Sequence, residues 1–254
     1  MRENIKKMQM IEETQGTEQF QKVEHNRKRA VLIASILVVA IIIPCFICIG
    51  VTLLEDRKYY LISILIICAS LIPFVIQIKQ QQFSSRRLIL IASMAAIATL
   101  GRIAFFFLPQ FKPVLAVVIM AAILVGPMDG FLVGVLTGFI SNFYYGQGPW
   151  TVWQMYCFGL VGFVAGLIFS HGKHNKFLVC LYGFVATFLL YGGVINFASV
   201  IMFYSYITPG ALKASYIQGI PFDFIHAVAT VIFLYFIYHS FTEKITRIQK
   251  KYKM

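Results

Sequence analysis

The chain has 254 residues, of which 59% are hydrophobic and only 13% are charged. A soluble domain of this length is normally about half apolar and about a quarter charged. The composition therefore excludes an ordinary soluble domain and predicts an integral membrane protein that crosses the bilayer several times.

Residues 1–29 are polar and charged and lack apolar periodicity, which predicts a flexible cytoplasmic tail. We expect no cleavable signal peptide ahead of the apolar part of the chain. Eight apolar runs follow, most of them near the length of about 20 residues that spans a bilayer as a helix. The predicted helices are 30–53, 59–78, 88–108, 114–126, 130–146, 150–169, 177–203 and 217–240. Residues 246–254 form a basic cytoplasmic tail.

The net charge of +12 follows the predicted membrane topology. With the N-terminus inside, the inside segments carry seven basic residues in 1–29, three in 79–87, two in 170–176 and five in 241–254. The outside segments carry four, which are Arg57, Lys58, Lys112 and Lys213. The positive-inside rule then places both termini in the cytoplasm, and we expect no nucleic-acid partner.

The polar stretch "KQQQFSSRR", residues 79–87, divides the chain into two parts. Residues 30–78 form a predicted two-helix transmembrane hairpin with hardly any polar side chains, which we interpret as accessory. Residues 86–245 form a predicted six-helix membrane core, rich in glycine and aromatic residues. Glycines recur at helical spacing in this core and indicate close helix packing. They are Gly130, Gly134 and Gly138, followed by Gly159, Gly162 and Gly166.

Polar side chains concentrate near the predicted outer ends of the core helices. The segment "SNFYYGQGPWTVWQ", residues 141–154, contains both tryptophans of the chain and three side-chain amides. Intramembrane charges such as Arg102 and Asp223 must face the bundle or water. This asymmetry predicts a pocket in the outer half of the bundle. The candidate ligand-binding residues are Arg102, Asn142, Tyr144, Tyr145, Gln147, Trp150, Trp153, Gln154, Asn196 and Asp223.

Other interpretations of these residues remain open. Arg102 pairs either with Asp223, fixing the packing, or with an anionic group of a ligand. The tryptophans also suit an interfacial aromatic belt, and the amides also suit hydrogen bonds between helices. We expect no enzyme activity, catalytic residue, metal or cofactor, because the chain lacks a nucleophile beside a base, paired carboxylates and a P-loop.

Three segments carry a resemblance to a known family. They are "GRIAFFFLPQFKPV", "ILVGPMDGFLVGVLTGFISNFYYGQGPW" and "TVWQMYCFGLVGFVAGLIF". They resemble the substrate-binding S component of energy-coupling factor (ECF) transporters, which are bacterial vitamin importers of the ABC class. The resemblance covers roughly residues 86–245, and the hairpin at 30–78 departs from it.

The resemblance implies a six-helix fold in the bacterial cell membrane and a pocket built from helix ends and the loops 108–113, 144–150 and 204–216. It implies partners on other chains, namely a transmembrane coupling subunit and two ATPase subunits. Ala92-x-x-x-Ala96 matches the small-residue motif expected to contact the coupling subunit.

The ligand implied by the resemblance is a vitamin. The "GQGPWTVWQM" variant resembles S components for cobalamin-like ligands, and riboflavin, pantothenate, folate, queuosine-type and thiamine-type ligands stay open. The rival functions are a membrane scaffold or assembly protein without a ligand, and a secondary transporter.

Overall fold

The computed structural model describes residues 21–53, 59–79, 85–169, 175–204 and 206–252. These residues form eight helices and no strand, which confirms the predicted all-α membrane fold. We number them in chain order. They are α1 (Gln21–Thr52), α2 (Tyr59–Lys79), α3 (Ser85–Ala104), α4 (Val114–Val125), α5 (Pro127–Tyr145), α6 (Pro149–Phe169), α7 (Lys176–Phe203) and α8 (Pro209–Tyr252).

Five of these helices are long and apolar enough to cross a membrane by themselves, namely α1, α3, α6, α7 and α8. At about 1.5 Å per residue, the 12 residues of α4 reach only part of the way. This short helix lies in the middle of the core, where ten of its side chains are buried. Because its neighbours surround it, α4 needs no contact with lipid along its length.

Several predicted helix boundaries were wrong. Helix α1 begins at Gln21 and not at residue 30, and α8 ends at Tyr252 and not at residue 240. Two further differences concern the pocket. Helix α3 ends at Ala104, so Arg102 lies in its last turn rather than two turns below the helix end. Helix α8 begins at Pro209, so Asp223 lies about four turns into it rather than under two. Two prolines explain why the start of α8 was predicted wrongly. Pro209 starts the helix, and the later Pro221 is accommodated inside it, although proline in a soluble helix usually marks an end.

Helices α5 and α6 approach each other through their glycines. A Cβ built on Gly134 would lie 2.5 Å from the backbone nitrogen of Gly159, and one on Gly138 would lie 2.9 Å from the Cα of Met155. A Cβ on Gly162 would lie 2.8 Å from the carbonyl oxygen of Gly130. The glycines therefore allow the close helix packing that their spacing predicted, because the two backbones meet where no side chain intervenes.

The substitution Gly134→Ala should lower the free energy of unfolding by about 1–3 kcal/mol, because the added methyl group forces two helix backbones apart. Reversible unfolding in mixed detergent micelles measures this change. Gly193→Ala in α7 is the matched control, since a Cβ there meets no atom within 4 Å. That variant should be neutral or slightly stabilising. Equal losses in the two variants would contradict the packing role of Gly134.

The end of the bundle opposite the helix α3 C-terminus is held by an ion pair that we call the clamp. Arg87 of α3 donates from Nε to Oδ1 of Asp129 over 2.7 Å and from Nη2 to Oδ2 over 2.5 Å. Asp129 is fully buried in the first turn of α5. Because an isolated buried carboxylate is costly, this bidentate contact fixes α3 against α5 at the clamp end.

The α1–α2 hairpin packs on one side of the core. Its helix α2 contacts α5 and α6, and α1 contacts α6. Helix α1 contains a π-helical turn at Val38–Ile42, and α7 contains another at Ala186–Tyr191. The predicted accessory role of residues 30–78 stays a prediction, and the predicted tail at 1–29 lies mostly outside the described residues.

Candidate functional site

A polar cavity of about 280 Å³ opens at the end of the bundle where α3 and α5 end and α4 and α6 begin. We call this end the pocket end. Side chains from α3, α4, α5, α6, α7 and α8, with the loop between α3 and α4, line the cavity. The lining residues are Arg102, Gln110, Lys112, Val114, Asn142, Tyr145, Trp150, Gln154, Phe158, Tyr191 and His226.

Arg102 is the centre of the polar wall and is 6% exposed. Its Nη1 donates to the hydroxyl of Ser141 and, over 3.1 Å, to Oδ1 of Asn142. Its Nη2 donates to Oε1 of Gln154 over 3.0 Å. These acceptors are neutral oxygens, so they solvate the guanidinium without cancelling its charge.

The two amides of the wall orient each other. Asn142 donates from Nδ2 to Oε1 of Gln154 over 3.0 Å and to the hydroxyl of Thr151 over 3.2 Å. Gln154 Oε1 thus accepts from both Asn142 and Arg102. This network joins the end of α5 to the start of α6 and sets which amide atoms face the cavity.

Aromatic rings form the remaining walls. The rings of Phe158 and Tyr191 are stacked, with centroids 5.5 Å apart and planes 9° apart. His226 meets Tyr191 edge to face at 4.9 Å. Tyr191 ends the π-helical turn of α7, and such turns often occur at functional sites because they re-aim one side chain within a regular helix.

His226 is the unusual polar member of this aromatic wall. It is 3% exposed, and neither ring nitrogen has a hydrogen-bond partner among the residues that the structure describes. Buried polar groups in native proteins are normally satisfied. The imidazole therefore lies beside the cavity with two ring nitrogens that are both buried and without a partner among the described residues.

The loop 105–113 covers the cavity with Gln110 and Lys112. Gln110 has a φ of +56°, a left-handed conformation that is uncommon for residues other than glycine. Lys112 donates to the carbonyl oxygen of Leu108 over 3.0 Å. Partial burial lowers the pKa of Lys112 below its usual value, and the nearby charge of Arg102 lowers it further.

Five of the ten predicted ligand-binding residues line the cavity, and five do not. Arg102, Asn142, Tyr145, Trp150 and Gln154 are brought together in its wall. Away from the wall, Tyr144 is 55% exposed and packs edge to face on Phe106.

Gln147 donates from Nε2 to the carbonyl oxygen of Phe139 over 2.9 Å, and Trp153 is buried in the apolar core. Both side chains therefore hold the helix ends beside the cavity.

The remaining two predicted residues form a separate pair. Asn196 donates from Nδ2 to Oδ2 of Asp223 over 2.7 Å, joining α7 to α8. Of the two alternatives left open for Arg102, the pairing with Asp223 does not form, since no carboxylate lies within salt-bridge distance of Arg102 among the described residues. Asp223 lies deeper along α8 than the predicted helix start implied, and its hydrogen bond is met by an amide.

The sequence interpretation did not name Val114, Phe158, Tyr191 or His226 as ligand-binding residues. Gln110 and Lys112 lie in the loop 108–113, which it expected to build the pocket. Phe158 follows Gln154 by four residues on α6, so helical spacing was a usable signal for Phe158. The loop 204–216, expected to build the pocket, contributes no lining residue among those described.

Ala92 and Ala96 lie on the outer surface of α3, and both are exposed. Ala95 and Ala98 face the core. The structure thus separates an outward face of small residues from the buried face that ends at Arg102.

Comparisons with known proteins agree with this architecture. Residues 86–238 match the family model described as ECF transporter, substrate-specific component. The chain is 36% identical to a UPF0397 protein of Vibrio atlanticus (strain LGP32) over 90 residues, which are 34% of this chain and 49% of the relative. It is 34% identical to a UPF0397 protein of Aliivibrio fischeri (strain MJ11) over 89 residues, 33% of this chain and 48% of that protein.

A third relative, a UPF0397 protein of Aliivibrio salmonicida (strain LFI1238), is 29% identical over 124 residues, 43% of this chain and 67% of that protein. The chain thus spans about half the length of the first two relatives it matches. No solved structure matches the chain.

Proposed function

The chain belongs to the family of ECF transporter substrate-specific components, and on that premise we propose that it captures a vitamin or similar micronutrient in the cavity at the pocket end. The observation that supports this proposal is the cavity itself. One space at the pocket end brings together a guanidinium, an ammonium, three side-chain amides and an imidazole that has no partner among the described residues. A few polar groups converging in an otherwise apolar pocket are typical of a small-molecule site.

The proposed orientation places the cavity toward the outside and both termini in the cytoplasm. It is supported by the basic residues, which concentrate in 1–29, 79–87, 170–176 and 241–254. The proposed partners are a transmembrane coupling subunit and two ATPase subunits on other chains, since this sequence contains no P-loop of its own.

The size of the cavity bears on the ligand. About 280 Å³ lies at the lower end of the range of about 300–1,000 Å³ that is usual for small-molecule sites. Cobalamin is several times larger and would need a wider opening than this conformation has. We therefore favour a smaller ligand, and cobalamin stays a prediction that the same experiment tests.

Mass spectrometry of small molecules that co-purify with the full chain tests the proposed function directly. We expect one bound compound at near-equal molar ratio, and a thermal shift when that compound is added back. A corrinoid would also be visible by its absorbance. A ligand-free protein that shows no shift with a panel of vitamins would favour the alternative of a membrane scaffold or assembly protein.

The two tryptophans should separate ligand contact from packing. Trp150 lines the cavity, and Trp153 lies in the core. Trp150→Ala should weaken binding of the co-purified ligand about tenfold to a hundredfold, because it removes a large apolar surface. Trp153→Phe, which keeps most of the packing volume, should leave the affinity unchanged. Isothermal titration calorimetry measures both, and the reverse order of effects would assign the contact to Trp153.

A further inference from the structure

The charge of the cavity wall is unbalanced. Arg102 and Lys112 both face the ring of Tyr145, with the guanidinium carbon 4.5 Å and the ammonium nitrogen 5.7 Å from its centroid. Among the described residues that line the cavity, none is acidic. Asp223, which the sequence analysis offered as a partner for the charge of Arg102, hydrogen-bonds to Asn196 and lies outside the wall.

Two like charges in a partly buried site are unfavourable unless something else neutralises them. The tyrosine ring helps, since cations are attracted to the face of an aromatic ring. The neutral oxygens of Asn142 and Gln154 each accept a hydrogen bond from Arg102. Neither kind of contact supplies a negative charge, so the wall retains the electrostatic preference of an anion site.

The donors of Arg102 are only partly used. A guanidinium carries five N–H groups in a planar fork, and three hydrogen bonds from Arg102 end on described residues, at Ser141, Asn142 and Gln154. The remaining N–H groups suit a carboxylate, which guanidinium binds with two parallel hydrogen bonds. Charge and donor geometry therefore point to the same kind of ligand group.

Aromatic rings beside Arg102 suit a flat ligand ring, and the guanidinium carbon lies 5.5 Å from the centroid of Phe158. The stacked pair of Phe158 and Tyr191 presents aromatic surface, and Trp150 adds a further ring. His226 lies at the edge of this surface with both nitrogens unpartnered among the described residues. Both nitrogens are buried, so a heteroatom of a ligand ring would complete the hydrogen bonding of the imidazole once His226 turns toward the cavity.

We propose that the ligand of this cavity is a small aromatic or heteroaromatic carboxylate, whose acid group lies between Arg102 and Lys112 and whose ring extends toward His226. The proposal rests on the proposed function and names the chemical class of its substrate. The volume of about 280 Å³ favours a small molecule, since small-molecule sites usually enclose about 300–1,000 Å³.

Matched acids and amides test this proposal without requiring the natural ligand. The probes are benzoate against benzamide, nicotinate against nicotinamide, and acetate as an acid without a ring. Each is titrated up to about 10 mM into the purified full chain in lipid nanodiscs, since fragments of about nine atoms reach millimolar affinity at ordinary ligand efficiency. Tryptophan fluorescence and thermal unfolding report binding, and Trp150 in the wall supplies the fluorescence signal.

We expect at least one ring acid to bind about tenfold more tightly than its amide and than acetate, because hydrogen bonds between charged groups are stronger than neutral ones. Arg102→Gln should bring the acid-to-amide ratio close to one. Lys112→Gln should lower the ratio less. Because Lys112 lies in the loop outside the helices, this variant replaces the Arg102 variant if that one does not fold. Lys213→Gln is the matched control, because Lys213 is exposed at the same end and does not line the cavity.

Two results would overturn the proposal. One is an amide that binds as tightly as its acid, and the other is no binding by any ring acid at about 10 mM. A neutral compound found by mass spectrometry together with amide preference would remove the anion class and leave the capture function standing. A ligand-free protein that binds none of the vitamins or probes would remove both.

Discussion

Arg87→Met should lower the free energy of unfolding by about 3–5 kcal/mol, because it leaves the carboxylate of Asp129 buried without its partner. Asp129 is 0% exposed, and the bidentate contact from Arg87 is what balances its charge at the clamp. Unfolding in mixed detergent micelles at neutral pH measures the loss. A loss below about 1 kcal/mol, as is usual for exposed ion pairs, would contradict this role.

The adjacent arginine gives the control for the clamp. Arg86 is exposed one position earlier on α3, and Arg86→Met should change the stability far less than Arg87→Met. The double variant Arg87→Met with Asp129→Leu should be milder than Arg87→Met alone, since no charge is then left unpaired. A double variant that loses the sum of the two single losses would show that the two residues do not act as a pair.

Ala92→Leu combined with Ala96→Leu should abolish co-purification with the coupling module and stop uptake, and ligand binding by the isolated chain should survive. Both alanines are exposed on α3, on the face away from the cavity. Close approach of helices in a membrane depends on small residues, because packing rather than the hydrophobic effect drives their association. Two leucines would hold a partner helix several ångströms farther away.

Co-purification of tagged chain with the coupling subunit, and calorimetry on the isolated variant, separate the two effects. Ala40→Leu is the control, since it adds the same bulk at an exposed alanine of α1. That variant should assemble and transport normally. If the Ala92 and Ala96 variant also assembles normally, the proposed contact with the coupling subunit is wrong and these alanines only face lipid.

The sequence predicts the fold well because a helix that spans a membrane needs a long apolar run, which is easily recognised in a sequence. Apolar runs near the length of a bilayer gave eight helices, and the glycine spacing of α5 and α6 gave their close contact. The family match over residues 86–238 agrees with the predicted six-helix core. Helix ends were less accurate, because proline starts α8 at one position and lies inside it at another.

Contacts between particular side chains were harder to predict than the positions of the helices. Arg102 and Asp223 were one expected pair because they carry opposite charges in apolar surroundings. Hydroxyl and amide oxygens accept hydrogen bonds from Arg102 instead, and Asn196 donates to Asp223. The pair that does form, Arg87 with Asp129, joins a residue counted only as a topology signal to one in the "GPMDG" turn. The usable signal was position along the helices. Arg87 lies at the start of α3 and Asp129 in the first turn of α5.

The π-helical turn Ala186–Tyr191 gives α7 two helical registers. A π turn holds one residue more than an α turn, so the faces before and after it are offset by roughly 100° around the axis. Tyr191 at its end reaches the cavity, and Asn196 beyond it reaches Asp223. Deleting a single residue here would keep the span intact and rotate everything after it, so the length of this turn governs cavity shape independently of which polar residues the chain contains.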